Sequence, residues 1–274
     1  MIRFSIIVVC LNAGDRLKRT VESILMQSCG DYEIIVKDGI STDGCLNGLP
    51  EDGRIRVFRE KDRGIYDGMN QALCHVRGEY VYFLNCGDFF YDKEVLKRVK
   101  ERIEDEEKEG TGEGKKNGGK RYIFYGDIRE RLTGERVASN PSMDAFGCYR
   151  NVPCHQACFY QAKLMEEKRF EVKYRVRADY EHFLWCFFKG KAKTVYMPLI
   201  VADYEGGGFS ETKENRKVSA AEHKEITGKY MSAGQVWKYR LVLLLTLSRL
   251  RTWLAGNPAT AHVYQSLKRR VYGK

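Results

Sequence analysis

The motifs that would quickly assign this 274-residue chain to a function class are absent from it. No GxGxxG follows the first apolar run and no GxxxxGK[ST] occurs anywhere, so dinucleotide-dependent oxidoreductase and P-loop readings lose their support. Its nine cysteines include no CxxC pair, which removes the usual zinc and dithiol signatures. No signal peptide precedes the first apolar run, because Met1 leads directly into "RFSIIVVCL". A reduced, cytoplasmic protein is therefore expected, with Cys10, Cys74, Cys86, Cys158 and Cys186 acting as small hydrophobes inside apolar or helical patterns. Acidic residues are missing from Ile226 onward, where nine Lys/Arg meet no Asp/Glu. The preceding residues hold 38 basic and 37 acidic side chains, so the net charge of +10 belongs to the tail. That placement points to a surface partner of the tail and not to a basic catalytic cleft.

What is present is a regular alternation. Apolar content of 43% is ample for one large α/β domain, with or without an appendage. "FSIIVVCL" (4–11) is a continuous apolar run, as in a parallel strand covered on both faces. "DRLKRTVESILMQ" then sets Leu17, Val21, Ile24 and Leu25 on one helical face. "YEIIVKD" (32–38) and "RIRVFRE" (54–60) read as the next strands, "YDGMNQALCHVRG" (66–78) as a helix closed by Gly78, and "EYVYFLN" as a fourth strand. Strands alternating with helices imply a mostly parallel, doubly wound sheet, which binds ligands beyond the carboxyl ends of its strands. Acids, amides and glycines gather in those loops: Asn12-Ala13-Gly14, "DGISTDG", "EKDRGIYDGMN" and "NCGD". Any one of them is an ordinary turn; together they outline a site. Further on, "EDEEKEGTGEGKKNGGK" (104–120) reads as a charged, glycine-rich surface loop. "RADYEHFLWCFFKG" (177–190) reads as a helix closed by Gly190, and "TVYMPLIVADY" as a late strand.

One stretch, "GEYVYFLNCGDFFYD" (78–92), raises a question of its own. A buried strand there ends in a lone carboxylate, Asp88, hemmed in by aromatics, and such a group needs a cation or a hydrogen-bond network. Four ordered segments, "DGISTDG" (38–44), "EKDRGIYDGMNQAL" (60–73), "GEYVYFLNCGD" (78–88) and "RADYEHFL" (177–184), with a later "YEGGGFS", resemble family 2 glycosyltransferases of the A-type fold. The resemblance is strongest to the bacterial polysaccharide-assembly branch and covers about residues 3–210. It implies an A-type glycosyltransferase fold, α/β with flanking helices and a C-terminal helical extension. The catalytic domain would span 1–225, with a nucleotide-binding half over about 1–100 and an acceptor half over about 120–225.

The resemblance also implies a chemistry: an inverting transfer of a sugar from a nucleotide-sugar donor, expected to be a UDP-sugar, to a hydroxyl of a glycan or lipid-linked acceptor. The leaving diphosphate gains negative charge, which Mn²⁺ or Mg²⁺ would offset on hard oxygen ligands. Asp88 is the metal carboxylate by resemblance. Many relatives have a DxDD motif here, whereas this chain reads Asn85, Cys86, Gly87, Asp88. Donor-binding positions carried over are Asn12, Asp38, Asp43, Glu60, Asp67, Asn70 and Asn85, with Asp62 on the same rim and Arg63 within reach of a diphosphate. The base that removes the acceptor proton sits in an acidic pair of the family. Ala178-Asp179 occupies that place, so Asp179 is the expected base and Glu181 the alternative. His155 is placed to touch the acceptor or a phosphate. Structural duties stay open beside these roles: Asp38 capping its own loop, Asp88 or Asp179 capping a helix, His155 satisfied within the fold.

The tail (226–274) puts Val236, Tyr239, Val242, Leu243, Leu247, Leu250, Trp253 and Leu254 on one helical face and Lys238, Arg240, Arg249 and Arg251 on the other. Its longest apolar run is five residues, too short to span a bilayer. An interfacial helix on anionic lipid and a helix packed on the domain both fit this pattern. No nucleic-acid recognition motif is present, so a nucleic-acid partner is not expected. A non-catalytic nucleotide-sugar or partner-binding module on the same fold is the rival to an enzyme, with a nucleotidyltransferase behind it.

Overall fold

The computed structural model describes residues 2–110, 121–206 and 212–246. The chain divides into two compact units, Met1–Ile226 and Thr227–Lys274.

In the first unit, β1 (Phe4–Cys10), β2 (Tyr32–Asp38), β3 (Ile55–Arg59) and β4 (Tyr80–Phe83) pair in the order β3-β2-β1-β4, all parallel. The β1 and β2 side chains Phe4, Ile6, Val8, Ile34, Ile35 and Val36 are fully buried, as expected of strands covered on both faces. The helix α1 (Asp15–Leu25) lays Leu17, Val21 and Ile24 onto the sheet. Beyond β4 the sheet turns mixed. It continues through β8 (Cys158–Gln161), antiparallel to β4, then β6 (Tyr122–Glu130) and β9 (Lys193–Tyr204), which run parallel to each other. The two-residue strands β5 (Phe89–Phe90) and β7 (Arg136–Val137) pair with β9 and β6. The parallel reading therefore holds for the first four strands and gives way to antiparallel pairing at β8.

Helices α2 (Ile65–Ala72), α3 (Val95–Gly110), α4 (Ala145–Arg150), α5 (Ala162–Glu167) and α6 (Ala178–Phe188) complete this unit, together with most of α7 (Lys213–Tyr230). Three sequence expectations change here. Residues 104–109 of the charged run are helical, because Glu106 is buried between Arg102 at 2.6 Å and Lys193 at 2.6 Å; the rest of that run lies outside the described residues. Gly78 does not close a helix, since α2 ends at Ala72 and a single 3₁₀ turn follows. Glycine is needed at 78 for close approach: a Cβ there would sit 2.6 Å from the Ser5 backbone nitrogen. Gly190 does follow α6, but the left-handed residue at that end is Lys191, φ 53°.

In the second unit, α8 (Ala233–Leu245) opens on a capping box, with Ser232 and Gln235 exchanging hydrogen bonds at 3.3 and 2.9 Å. Val236, Tyr239, Val242 and Leu243 are half-buried, whereas Trp237, Leu241, Leu244 and Leu245 are exposed beside Lys238 and Arg240. The helix is thus apolar on two sides. Leu247, Leu250, Trp253 and Leu254 lie outside the described residues, as do 207–211 of the "YEGGGFS" segment. Among the described residues, no helix is long and apolar enough to cross a membrane.

Candidate active site

The carboxyl ends of β1 and β2 carry the first group of predicted residues. Asn12 adopts φ 49°; its side-chain oxygen accepts the Thr42 amide at 2.9 Å, and its own amide donates to Ser41 Oγ at 2.8 Å. Asp43 accepts the amides of Gly14 at 2.7 Å and Cys45 at 3.1 Å, so it ties the first loop to the second. Asp38 is wholly buried, accepts the Ser41 amide at 3.1 Å and meets Arg59 Nε at 3.1 Å. Burial pushes its carboxyl up, but Ser41 and Arg59 outweigh that and hold it below the usual range. Asp38 does cap its own loop. Cys10 and Cys45 join it in a group whose ligand atoms lie within 4.8 Å of one another. Two thiols make a soft donor set, unlike the all-oxygen shell that Mg²⁺ or Mn²⁺ takes. Of the cysteines expected as small hydrophobes, Cys74 is exposed and Cys86 partly so.

A buried lysine organises the next segment. Lys37 Nζ donates to the Glu60 carbonyl at 2.6 Å and to Asp62 at 3.0 Å, pinning the loop before α2 under β2. Glu60 itself is exposed. Asp67 accepts the Arg63 amide at 2.9 Å and pairs with the Arg63 side chain, so this arginine meets an acid of the helix that follows it. Asn70 departs from expectation. Its amide both donates to and accepts from the Phe170 backbone at 2.9 Å, clamping the acceptor half instead of facing a nucleotide.

Asp88 is 3% exposed. It caps no helix: one oxygen accepts the Glu205 amide at 2.9 Å and the other Gln156 Nε2 at 2.9 Å, while Asp92 bonds the amide of Glu94 before α3. Burial pushes the Asp88 carboxyl up, and these partners with nearby His155 and Arg131 offset only part of it. No ion pair reaches it among the described residues. Gly87 just before it has φ 101°, and a Cβ there would lie 2.6 Å from Glu205 Oε2. A buried, unpaired carboxylate that retains free lone pairs suits one hard ligand to a divalent cation.

A 3₁₀ turn, His155–Ala157, joins this group to the expected base. Gln156 from that turn holds Asp88, and His155 Nδ1 lies 3.4 Å from Asp179 Oδ2. The other ring nitrogen lies 3.1 Å from Asn85 Nδ2, which leaves Asn85 Oδ1 buried with no hydrogen-bond partner among the described residues. Asp179 Oδ1 accepts the Tyr66 hydroxyl at 2.9 Å. Burial pushes Asp179 up, but His155, Tyr66 and its neighbouring amide outweigh that and set it below the ordinary value. Tyr66 is held far above its own by burial and the Asp179 charge, so it remains a donor. Asp179 is not the helix cap. Arg177 occupies the cap position, and Glu222 of α7 accepts the amides of Arg175, Val176 and Arg177 at 2.7–3.1 Å.

Asp179 also lines a cavity of about 370 Å³ walled by Val137, Phe146, Arg150, Pro153 and Arg177 among others. Glu181 does not reach it: two residues further round α6, its side chain is fully buried 3.7 Å from Lys168. Tyr66, Gln156, Arg131, Glu205 and Glu222 were not singled out by sequence reasoning. Tyr66 and Glu205 lie inside segments quoted above; Gln156, Arg131 and Glu222 carry no local signal.

A model of glycosyl transferase family 2 matches residues 5–150. The PGL/p-HBAD biosynthesis glycosyltransferase of Mycobacterium bovis is 34% identical over 216 residues, covering 76% of this chain and 79% of that protein. Among solved structures, the mannosyltransferase PcManGT from Pyrobaculum calidifontis, in complex with GDP-Man and Mn²⁺, superposes with TM-score 0.64 at 16% identity over 99% of this chain and 76% of that one. S. aureus TarS 1–349, in complex with UDP-GlcNAc, gives TM-score 0.60 at 16% identity over 83% of this chain and 71% of that one. Of the longer S. aureus TarS structure, the chain covers 42%.

Proposed function

This chain belongs to glycosyltransferase family 2, and from that premise we propose that it is an inverting enzyme using a UDP-sugar to extend a glycan or lipid-linked acceptor of the cell surface. The observation that carries the reading is the continuity of one site: the turn at 155–156 contacts the metal carboxylate Asp88 through Gln156 and the base Asp179 through His155. The acceptor hydroxyl would attack the anomeric carbon from the cavity side and pass its proton to Asp179. The glycosidic bond would break toward the diphosphate, so inversion follows from attack opposite the leaving group. Asp179, kept below the ordinary carboxylate range, is ionised at neutral pH and ready to accept that proton. Asp88 would hold Mn²⁺ or Mg²⁺, which when bound supplies positive charge against the leaving diphosphate. Asn12, Asp38, Asp43, Glu60 and Asp67 shape the donor rim. Asn85 offers it a buried, unpartnered oxygen.

The relative from M. bovis is named for PGL/p-HBAD biosynthesis, which favours a glycolipid-type acceptor. The solved neighbours hold GDP-Man and UDP-GlcNAc, so the base preference must be measured. The exposed Trp237, Leu241, Leu244 and Leu245 beside basic residues support a peripheral contact of the tail with anionic membrane on the cytoplasmic side.

Calorimetric titration of UDP with and without Mn²⁺, beside GDP and dTDP, tests the reading. Metal-dependent UDP binding supports it, and metal-independent UDP binding removes the role of Asp88 alone. If no nucleotide binds, the partner-binding module takes its place. Slow donor hydrolysis that Asp179→Asn abolishes would exclude that module.

A further inference from the structure

The cavity beside Asp179 has a chemical character of its own. Much of its lining is apolar: Ile128, Val137, Phe146, Val152, Pro153 and Val176. Its charged lining consists of Asp179 and two arginines, Arg150 and Arg177, neither of which forms an ion pair among the described residues. Arg177 is not a loose surface chain. Its Nε donates to the Ser219 carbonyl at 3.1 Å and to Ser219 Oγ at 2.7 Å, and its guanidinium lies 5.2 Å from the centroid of the Tyr180 ring. These contacts occupy Nε and steady the guanidinium, and among the described residues its terminal amino groups have no hydrogen-bond partner. A planar guanidinium held this way loses little side-chain entropy when it binds an oxyanion through two parallel hydrogen bonds. Arg150, on the last turn of α4 and exposed, adds a second positive charge without an ion-pair partner among the described residues to the same cavity.

We propose that the acceptor of this enzyme is an anionic amphiphile: a phosphate- or carboxylate-bearing group read by Arg177 and Arg150, attached to an apolar moiety that packs on the apolar lining of the same cavity. This rests on the proposed function, since it assigns the acceptor to the cavity that holds the base. The anion would sit away from Asp179, whose own charge disfavours a second one nearby, and so orient the acceptor with its hydroxyl toward the carboxylate.

The test uses the full chain saturated with UDP and Mn²⁺, so that the donor side cannot take up phosphate. Binding of three probes is compared by ligand-observed NMR: hexyl phosphate, hexyl glucoside and inorganic phosphate. Hexyl phosphate should bind at least about tenfold more tightly than either of the others, the preference that one charge-assisted pair gives. Arg150→Met, at an exposed position that folding tolerates, should reduce the preference, and adding Arg177→Met should erase it, whereas Arg177→Lys should keep part of it. Equal binding of hexyl glucoside would overturn the anionic class. Equal binding of inorganic phosphate would overturn the amphiphile and leave a free-phosphate site. A preference that survives in the double variant would overturn the assignment to these arginines. UDP affinity measured on the same samples separates the cases: if UDP itself fails to bind, the glycosyltransfer reading fails, whereas intact UDP binding without phosphate preference sinks this inference alone.

Discussion

The proposed donor half and the proposed acceptor half of the site hold their carboxylates by different means. Asp38 and Asp43 each have a partner two or three residues away, Ser41 and Cys45, with Arg59 arriving from the end of β3 and Gly14 from the loop after β1. Asp179 takes its hydroxyl partner from far along the chain, Tyr66 at a separation of 113 residues, and His155 reaches it from the 3₁₀ turn. Asp88 belongs to the donor half by sequence and to the acceptor half by its contacts, Gln156 and Glu205, at separations of 68 and 117. Loops pinned locally tolerate the loss of one contact, because the others keep the turn. A carboxylate pinned by remote elements depends on the whole fold, and its chemistry is exposed to changes there.

The largest effect should come from Asp179→Asn. Removing the base should lower transfer by about 10²–10⁴-fold, while UDP affinity measured calorimetrically stays at the parent value. If UDP binding falls as well, the two halves are not separable and the comparison breaks.

Asp88→Asn comes next and sharpens the contrast through stability. A folded pKa raised above the unfolded one means that the native state favours the protonated acid. The stability it contributes is present at low pH and is lost as pH rises through the folded value. At neutral pH the ionised Asp88 therefore weakens the fold, so neutralising it should leave Tm unchanged or higher while abolishing the metal-dependent part of UDP binding. A clear drop in Tm would show that Asp88 is structural. The two carboxylates also predict a pH signature. Asp88 is raised and Asp179 lowered, so on acidification metal-dependent UDP affinity should fail before the base does. Measured against pH, donor affinity should weaken in mild acid while kcat at saturating donor holds.

The same contrast explains what the sequence could reveal. The parallel strands β1 and β2 are continuous apolar runs, and the loops after them are built from Asp, Asn and Gly, so these strands and the turns at their ends could be read directly. The antiparallel turn of the sheet at β8 and β6 could not, because four-residue β8 carries no period that distinguishes pairing direction. Asn70 shows the same limit. Its helix can be read from the sequence, but the Phe170 backbone 100 positions away, which takes up its amide, cannot. Glu222, which holds the loop before α6 from α7, gave no signal, since a glutamate in a charged helix looks solvated until the neighbouring loop is in place.

Tyr66→Phe probes the join between the halves, since Tyr66 sits on the donor-side α2 and holds the base. Losing one hydrogen bond to a positioned carboxylate should cost about tenfold in kcat, with UDP affinity unchanged. One of the partners that keeps Asp179 low is then gone, so the acid limb of kcat should also move to higher pH. A purely structural tyrosine would lower Tm and leave that limb in place.

The smallest effect is expected at Asp43, although it stands in the middle of a family motif. Asp43 accepts two backbone amides, from Gly14 and Cys45, on the open side of the loop. Those amides can turn to water when the carboxylate is lost, and Asn12 still holds the same two loops together through Thr42 and Ser41. Asp43→Ala should therefore change UDP affinity by less than about threefold, with kcat unaltered. A tenfold or larger loss would mean that Asp43 reads the nucleotide itself and that the donor rim, like the base, depends on single contacts. That one calorimetric comparison decides whether local redundancy among these loop contacts extends to nucleotide binding.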